Sequence, residues 1–261
     1  DITSRDAPTM RDLLEIDDLP AYLRGLKGET VGTLADIASG ALDLLAPCDL
    51  QAVKASGVTF AESMVERVIE EQAAGDADHA DAIRRKVTAA IGDTLSGIEP
   101  GSEKAMGVKR VLQAEGLWSP YLEVGIGPDA EVFTKCQPMA SVGHGAPVGL
   151  HPISTWNNPE PEIVLAVDSR GQIKGATLGN DVNLRDVEGR SALLLGKAKD
   201  NNASCAIGPF LRVFDDHYGM ADVERAELTL RVEGEDGFVL DGHSSMTRIS
   251  RRPADIVSQT I

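Results

Sequence analysis

Two glutamates separated by one residue, Glu160 and Glu162, stand at the entry to a β-rich run, and side chains two apart on a strand point to the same side. Carboxylates held together repel, which raises a proton affinity unless a cation lies between them. Asp181, in Gly179-Asn180-Asp181, follows the partner strand of what reads as a hairpin, so pairing would return it close to Glu162. Three oxygen ligands of this kind, with water in the remaining positions, suit Mg²⁺ or Mn²⁺. The same spacing on an exposed strand edge is ordinarily decoration, and spacing alone does not choose between the two. Lys199 lies in Gly196-Lys197-Ala198-Lys199-Asp200, ahead of Asn201-Asn202-Ala203-Ser204-Cys205 and the apolar Ala206-Ile207-Gly208-Pro209. That density of polar residues fits a loop turned into a pocket, and equally a solvated loop with surface lysines.

The other reactive residues are less informative. None of His79, His144, His151, His217 and His243 sits at HxxxH spacing, and GxSxG and HExxH are absent. His144, between glycines, and His151, before a proline, are expected on loops; His79 and His217 lie among acids and are expected at the surface.

The elements that must position these groups follow from periodicity. Residues 1–57 carry short helical pieces at Met10–Leu14, Leu19–Leu26 and Thr33–Leu45, broken by Gly and Pro, and read as the end of a small leading domain or a connector. Thr59 and Glu62 have capping-box spacing, and Met64, Val65, Val68 and Ile69 recur at helical period, which predicts a helix over 59–74. Further helices are expected from Asp78 to Ile91 and from Ser102 to Glu115, closed by Gly116. After Trp118 the pattern turns to strands. These are Glu131–Lys135, a hairpin over 162–178 turning at Ser169-Arg170-Gly171-Gln172, and a second hairpin from Glu227–Val232 to Phe238–Asp241. Helices that lead and hairpins that follow predict an α+β fold with a mostly antiparallel or mixed sheet.

Composition narrows the function classes. The 261 residues carry Lys+Arg 25 against Asp+Glu 41, a formal charge of −16, which argues against a generic phosphate-backbone binder. A hydrophobic share of 42% excludes an acidic disordered chain, and 4% aromatic residues leave little for stacking on bases. Cys48, Cys136 and Cys205 form no CxxC pair, so neither a zinc cage nor a disulfide framework is written and a reducing cytoplasm is expected. No apolar run approaches the ~18 residues that span a bilayer. A first residue other than Met and a closing PADIVSQTI suggest a piece of a longer chain.

PEPEIVLAV around Glu160 and Glu162, GNDVNLRD around Asp181 and KDNNASCAIGP from Lys199, in this order and spacing, resemble the fumarylacetoacetate hydrolase family. The resemblance extends upstream through Phe133-Thr134-Lys135 to the helix at 59–74, and so covers roughly 58–261 as a catalytic domain, without the family's Gly-Thr-rich C-terminal closing segment. It implies a mixed β-roll that dimerises, with Mg²⁺ or Mn²⁺ on Glu160, Glu162 and Asp181. It also implies Lys199 beside the metal, a 2-oxo acid bound through its carboxylate and keto oxygens, and Lys135, Asn180 and Arg185 as substrate-binding residues. A metal on the C2 carbonyl would acidify the C3 proton and hold the charge of an enolate.

One departure is informative. The family's hydrolases carry Tyr-Ala-x-His-x-x-Glu in the leading helix, where His and Glu activate water; here the stretch is Phe60-Ala61-Glu62-Ser63-Met64-Val65-Glu66. A serine hydroxyl alone is no base at neutral pH, so water-activated C–C hydrolysis is disfavoured, while Glu66, through water or Ser63, can still handle a proton. Together with a helical insertion at 75–116, LEVGIGPDAEVFTK and WNNPEPE, this resembles the family's sugar-acid dehydratases. The expected activity is therefore a metal-dependent lyase dehydrating a 2-keto-3-deoxy sugar acid, such as 2-keto-3-deoxy-D-xylonate, to a semialdehyde in pentose catabolism. Acylpyruvate or fumarylacetoacetate-type hydrolysis, and a silent metal-binding member, stand as the alternatives. The expected partner is a small 2-oxo acid, with no nucleic acid and no membrane.

Overall fold

The computed structural model of the chain describes residues 4–60, 64, 69, 73, 77–91 and 98–261. Helices and antiparallel hairpins share the chain, which makes it α+β as the order of elements predicted. The strands are β1 (Val53–Gly57), β2 (Glu131–Cys136), β3 (Asn157–Asn158), β4 (Pro161–Val167), β5 (Ile173–Asp181), β6 (Asn183–Leu184), β7 (Cys205–Val213), β8 (Glu227–Glu233) and β9 (Val239–Ser245). β4, β5 and β7 form a three-stranded sheet in that order; β1 with β2, β3 with β6 and β8 with β9 pair separately.

The chain divides into two units, residues 1–55 with 133–223 and residues 56–132 with 224–261. The first holds the three-stranded sheet. Its hairpin forms because the Asp168 carboxylate accepts the backbone N–H of Arg170 and of Gln172, each at 2.9 Å, and so folds the predicted Ser169–Gln172 turn around itself. Cys136, Cys205 and Ile207 are buried against Val53 and Val164, and Leu184, Val187 and Ala198 make a second apolar cluster. At about 1.5–3 kcal/mol for each fully buried Leu or Val, this second cluster anchors the segment just after Asp181.

The second unit buries Ile83 and Val87 of helix Ala77–Ile91, Val108 and Leu112 of helix Glu103–Ala114, and Leu122 and Ile126 of helix Pro120–Ile126. Ser102 caps the second of these through Ala105 N–H, and Gly116 takes the left-handed conformation (φ +69°) that ends it, as its position predicted. Of the helix predicted over 59–74, Met64, Ile69 and Ala73 are helical and buried; the remainder from 61 onward, with Ser63 and Glu66, lies outside the described residues.

Some expectations needed correction. The helix expected over Thr33–Leu45 spans only Leu34–Ala38, because Gly40 adopts φ +73° and Ala41 N–H reaches back to Asp36 C=O, closing the helix at its second turn. Strand β7 replaces an expected loop-to-apolar stretch after Ser204, since Gly208-Pro209 interrupts its pattern without ending its pairing to β5.

Candidate metal centre

Hairpin register brings the acidic residues together. Glu162 pairs with Gly179 and Pro161 with Asn180, while Asp181 N–H donates to Glu160 C=O at 2.9 Å. Glycine opposite Glu162 is required by close packing, since a Cβ there would lie 2.5 Å from Val164 Cγ2. Asp181 also pairs with Cys205 on β7, which places it at the end of a strand held on both edges. Glu160, Glu162 and Asp181 each offer a carboxylate oxygen, and these oxygens lie within 4.8 Å of one another, as the spacing predicted.

Two lysines complete the cluster. Lys199, the last residue of helix Leu195–Lys199, is 3% exposed and no surface lysine. Its ammonium is hydrogen-bonded to Glu160 Oε2 and, at 3.0 Å, to Asp181 Oδ2, with the Phe133 ring centroid 5.6 Å away. Asn201 caps that helix through Lys197 C=O at 3.0 Å, and Ser204 Oγ donates to the Lys199 C=O at 2.9 Å or to the Asn201 C=O at 2.9 Å.

Lys135 is 1% exposed, and its Nζ lies 2.9 Å from Asp181 Oδ1. Its hydrogens go elsewhere, to Val182 C=O at 2.8 Å, Lys199 C=O at 2.6 Å and Ser204 Oγ at 3.3 Å. Asp181 Oδ1 is therefore paired in charge but accepts no hydrogen bond among the described residues.

Other sequence candidates surround the cluster. Asn180 accepts the Glu160 N–H on its side-chain oxygen at 3.0 Å, so it shapes the backbone that carries Glu160. Arg185 is ion-paired with Glu188 at 2.9 Å, one helical turn on. Sequence reasoning missed Asn158, Asn183, Glu188 and Ser204. Asn183, fully buried, donates to Glu160 Oε1 at 3.2 Å and to Glu188 Oε2 at 2.6 Å, and Asn158 donates to Glu160 Oε1 at 3.3 Å. For Asn158 and Asn183 the sequence signal was at most a polar residue two positions from an acidic candidate, and Glu188 and Ser204 carried none. His144 and His151 are exposed on loops and His79 and His217 lie at the surface, as expected.

The electrostatics follow from crowding. Burial, then repulsion from Asp181 and Glu160, pushes the Glu162 carboxyl up to about 8, against the pull of Lys199. Burial opposes the Lys199 charge, but Asp181 and Glu160 outweigh it and hold its pKa above the ordinary lysine range. Glu188 is driven up by burial and down by Asn183, Lys199 and Arg185, and the net direction is down. One carboxyl of the three is thus poised to carry a proton near neutral pH while no cation is present. The donor set is three hard carboxylate oxygens close together, which fits a small divalent cation.

Comparison with known proteins agrees with this chemistry. No family model matches the chain. Over 138 residues it is 32% identical to the probable 2-keto-3-deoxyxylonate dehydratase of Haloferax volcanii, covering 53% of this chain and 46% of that protein. Over 122 residues it is 31% identical to the 2-dehydro-3-deoxy-D-arabinonate dehydratase of Saccharolobus solfataricus, covering 47% and 40%. The chain is similar to 2-keto-3-deoxy sugar acid dehydratases. It spans less than half the length of these curated relatives. A solved 2-keto-3-deoxy-D-arabinonate dehydratase complexed with magnesium and 2,5-dioxopentanoate is 28% identical, with TM-score 0.50 over 54% of this chain and 49% of that one. The apo form of a 2-keto-3-deoxy-D-arabinonate dehydratase shares the fold more broadly, at TM-score 0.64 over 95% of this chain and 73% of that one, with 22% identity.

Proposed function

We propose that this chain carries the metal centre of a Mg²⁺- or Mn²⁺-dependent dehydratase acting on 2-keto-3-deoxy sugar acids, with Glu160, Glu162 and Asp181 as the metal ligands. The observation that carries the proposal is the meeting of three carboxylates, Glu160, Glu162 and Asp181, with oxygens within 4.8 Å of one another and two buried lysines against Asp181. The bound dication would polarise the C2 carbonyl of the substrate as a Lewis acid and so acidify the proton at C3. Three carboxylates against two ammonium groups leave one negative charge, and a dication turns this into one positive charge that a monocarboxylate substrate balances.

The roles of this chain's residues belong to the same proposal. Lys199 orients the substrate carboxylate or keto oxygen from beside the ligands. Lys135, whose hydrogens go to Val182 C=O, Lys199 C=O and Ser204 Oγ, acts on the site through Asp181. Glu66, with Ser63, takes the C3 proton; the C4 hydroxyl departs with a proton as water, and the unsaturated product tautomerises to the semialdehyde. Asn180 and Arg185 line the substrate side. A β-roll with a helical insertion at 75–116, a catalytic region over 58–261, assembly as a homodimer and a cytoplasmic setting complete the proposal. No helix among the described residues is long and apolar enough to cross a membrane.

The test is to incubate the chain with Mg²⁺ and 2-keto-3-deoxy-D-xylonate and follow the aldehyde by NMR, with an acylpyruvate in parallel. Aldehyde formation that is abolished by chelation and by Asp181→Asn is expected. Cleavage of the acylpyruvate without dehydration of the sugar acid would overturn the proposal in favour of a hydrolase.

A further inference from the structure

Behind Glu160 lies a polar arrangement that the proposed chemistry does not use. Asn158 on β3 and Asn183 on β6 are cross-strand partners, and both turn their amide nitrogens to the same oxygen, Glu160 Oε1, at 3.3 and 3.2 Å. The orientation of each amide is forced. The contacts of Asn158 Nδ2 are Glu160 Oε1 and Pro159 C=O, and those of Asn183 Nδ2 are Glu160 Oε1 and Glu188 Oε2. All of these atoms only accept, so nitrogen must face them.

Both amide oxygens, Asn158 Oδ1 and Asn183 Oδ1, are buried and accept no hydrogen bond among the described residues. The two nitrogens converge on one carboxylate oxygen from paired strands, which fixes its position from two directions. Glu188 holds Asn183 from behind at 2.6 Å, and Arg185 in turn holds Glu188 at 2.9 Å.

We infer that Asn158 and Asn183 form a clamp that fixes the Glu160 carboxylate, with Glu188 as its anchor, so that Oε2, the oxygen now held by Lys199, is the one offered to a cation. These are positioning residues acting through Glu160. The inference rests on the reading of Glu160 as a metal ligand and goes beyond it by naming what aims the ligand. Outer-shell partners of metal-binding carboxylates typically change metal affinity about 10–100-fold when removed.

The experiment measures Mg²⁺ binding by calorimetry and Mn²⁺ binding by EPR on the full chain, together with the melting temperature of the metal-free protein. The variants are Asn158→Ala, Glu188→Gln and Glu160→Gln. The clamp predicts that Asn158→Ala and Glu188→Gln each weaken Mg²⁺ and Mn²⁺ binding by about tenfold. It also predicts that filling the site is harder at any substrate concentration: the activation constant for Mg²⁺ rises while kcat at saturating Mg²⁺ holds. Weakening of less than about fivefold in both variants, with Glu160→Gln abolishing binding, overturns the clamp and leaves the metal centre standing. Unaltered binding in Glu160→Gln overturns the reading beneath it. Because Asn183 is fully buried and its variants are prone to misfold, half-buried Asn158 and Glu188 carry the decision. A fall in melting temperature with metal affinity intact also overturns the clamp, since that is the signature of a structural role.

Discussion

Binding of Mg²⁺ to this chain should release a proton, and the proton should come from Glu162. In the metal-free protein its carboxyl titrates at about 8 because burial and the neighbouring Asp181 and Glu160 charges disfavour ionisation. At pH 7 such a group is about 90% protonated, and a cation can be ligated only by the ionised form. About 0.9 proton per Mg²⁺ is therefore expected at pH 7, about 0.5 at pH 8 and under about 0.1 at pH 9. The same linkage makes Mg²⁺ bind about 50-fold more weakly at pH 6 than at pH 8. Calorimetric titrations at each pH in buffers of different ionisation enthalpy read the proton count directly from the slope of observed heat against that enthalpy. A slope of zero at pH 7, with equal affinities at pH 6 and 8, would refute the reasoning by showing Glu162 ionised before metal arrives. Release that persists at pH 9 would refute it differently, by pointing to Lys199, whose partners hold its proton more firmly than usual.

Three further outcomes follow. Between the ordinary glutamate value of 4.5 and about 8, the folded metal-free protein holds a Glu162 proton that the unfolded chain has lost. Its stability should therefore fall as pH rises through that window and recover with saturating Mg²⁺; a flat melting temperature from pH 5 to 8 counts against this. Lys199→Met removes the shared partner of Glu160 and Asp181, and the loss of such a buried pair should destabilise the metal-free protein by about 3–5 kcal/mol, readable as a lower urea midpoint. Leu184→Ala, at a site 1% exposed in the cluster with Val187 and Ala198, should cost about 2–5 kcal/mol and, by loosening the neighbouring Asn183, weaken Mg²⁺ binding as well; a destabilised variant with wild-type affinity would separate packing from the site.

The metal centre was legible because its parts are local. Alternation along one strand aligns Glu160 with Glu162, and a polar turn at Ser169–Gln172 fixes the register that returns Asp181 to them. Lys199 was legible as a candidate, but its burial was not, since that depends on the packing of Ala198 and the capping of its helix by Asn201. Lys135 was likewise legible as a candidate, through the family resemblance, but not as a buried one. Its burial comes from three acceptors, Val182 C=O, Lys199 C=O and Ser204 Oγ, that draw its ammonium inward and lie far from it in sequence. Strand β7 was hidden by Gly208-Pro209, and the clamp asparagines by distance: Asn158 and Asn183 are 25 positions apart, and the pairing of β3 with β6 reveals that they share a target.

The second lysine changes what the site selects. With Lys199 alone, three carboxylates and a dication would balance to zero, and an anionic substrate would be tolerated rather than attracted. Lys135, 2.9 Å from Asp181 and without access to solvent, adds a fixed positive charge that no ligand can displace. Its value lies in that inaccessibility. A solvent-exposed lysine would be screened and free to swing, whereas a buried ammonium locked by three acceptors acts at a constant distance in a low-dielectric setting. The charge also acts on one ligand more than the others, because it faces Asp181 Oδ1 without hydrogen-bonding it. Both Asp181 oxygens face a lysine, whereas Glu162, buried and crowded by Asp181 and Glu160, is the carboxyl pushed up to about 8. Glu162 carries the proton because it is buried and crowded by Asp181 and Glu160 without a lysine in contact, while Asp181 touches both lysines and Glu160 touches one.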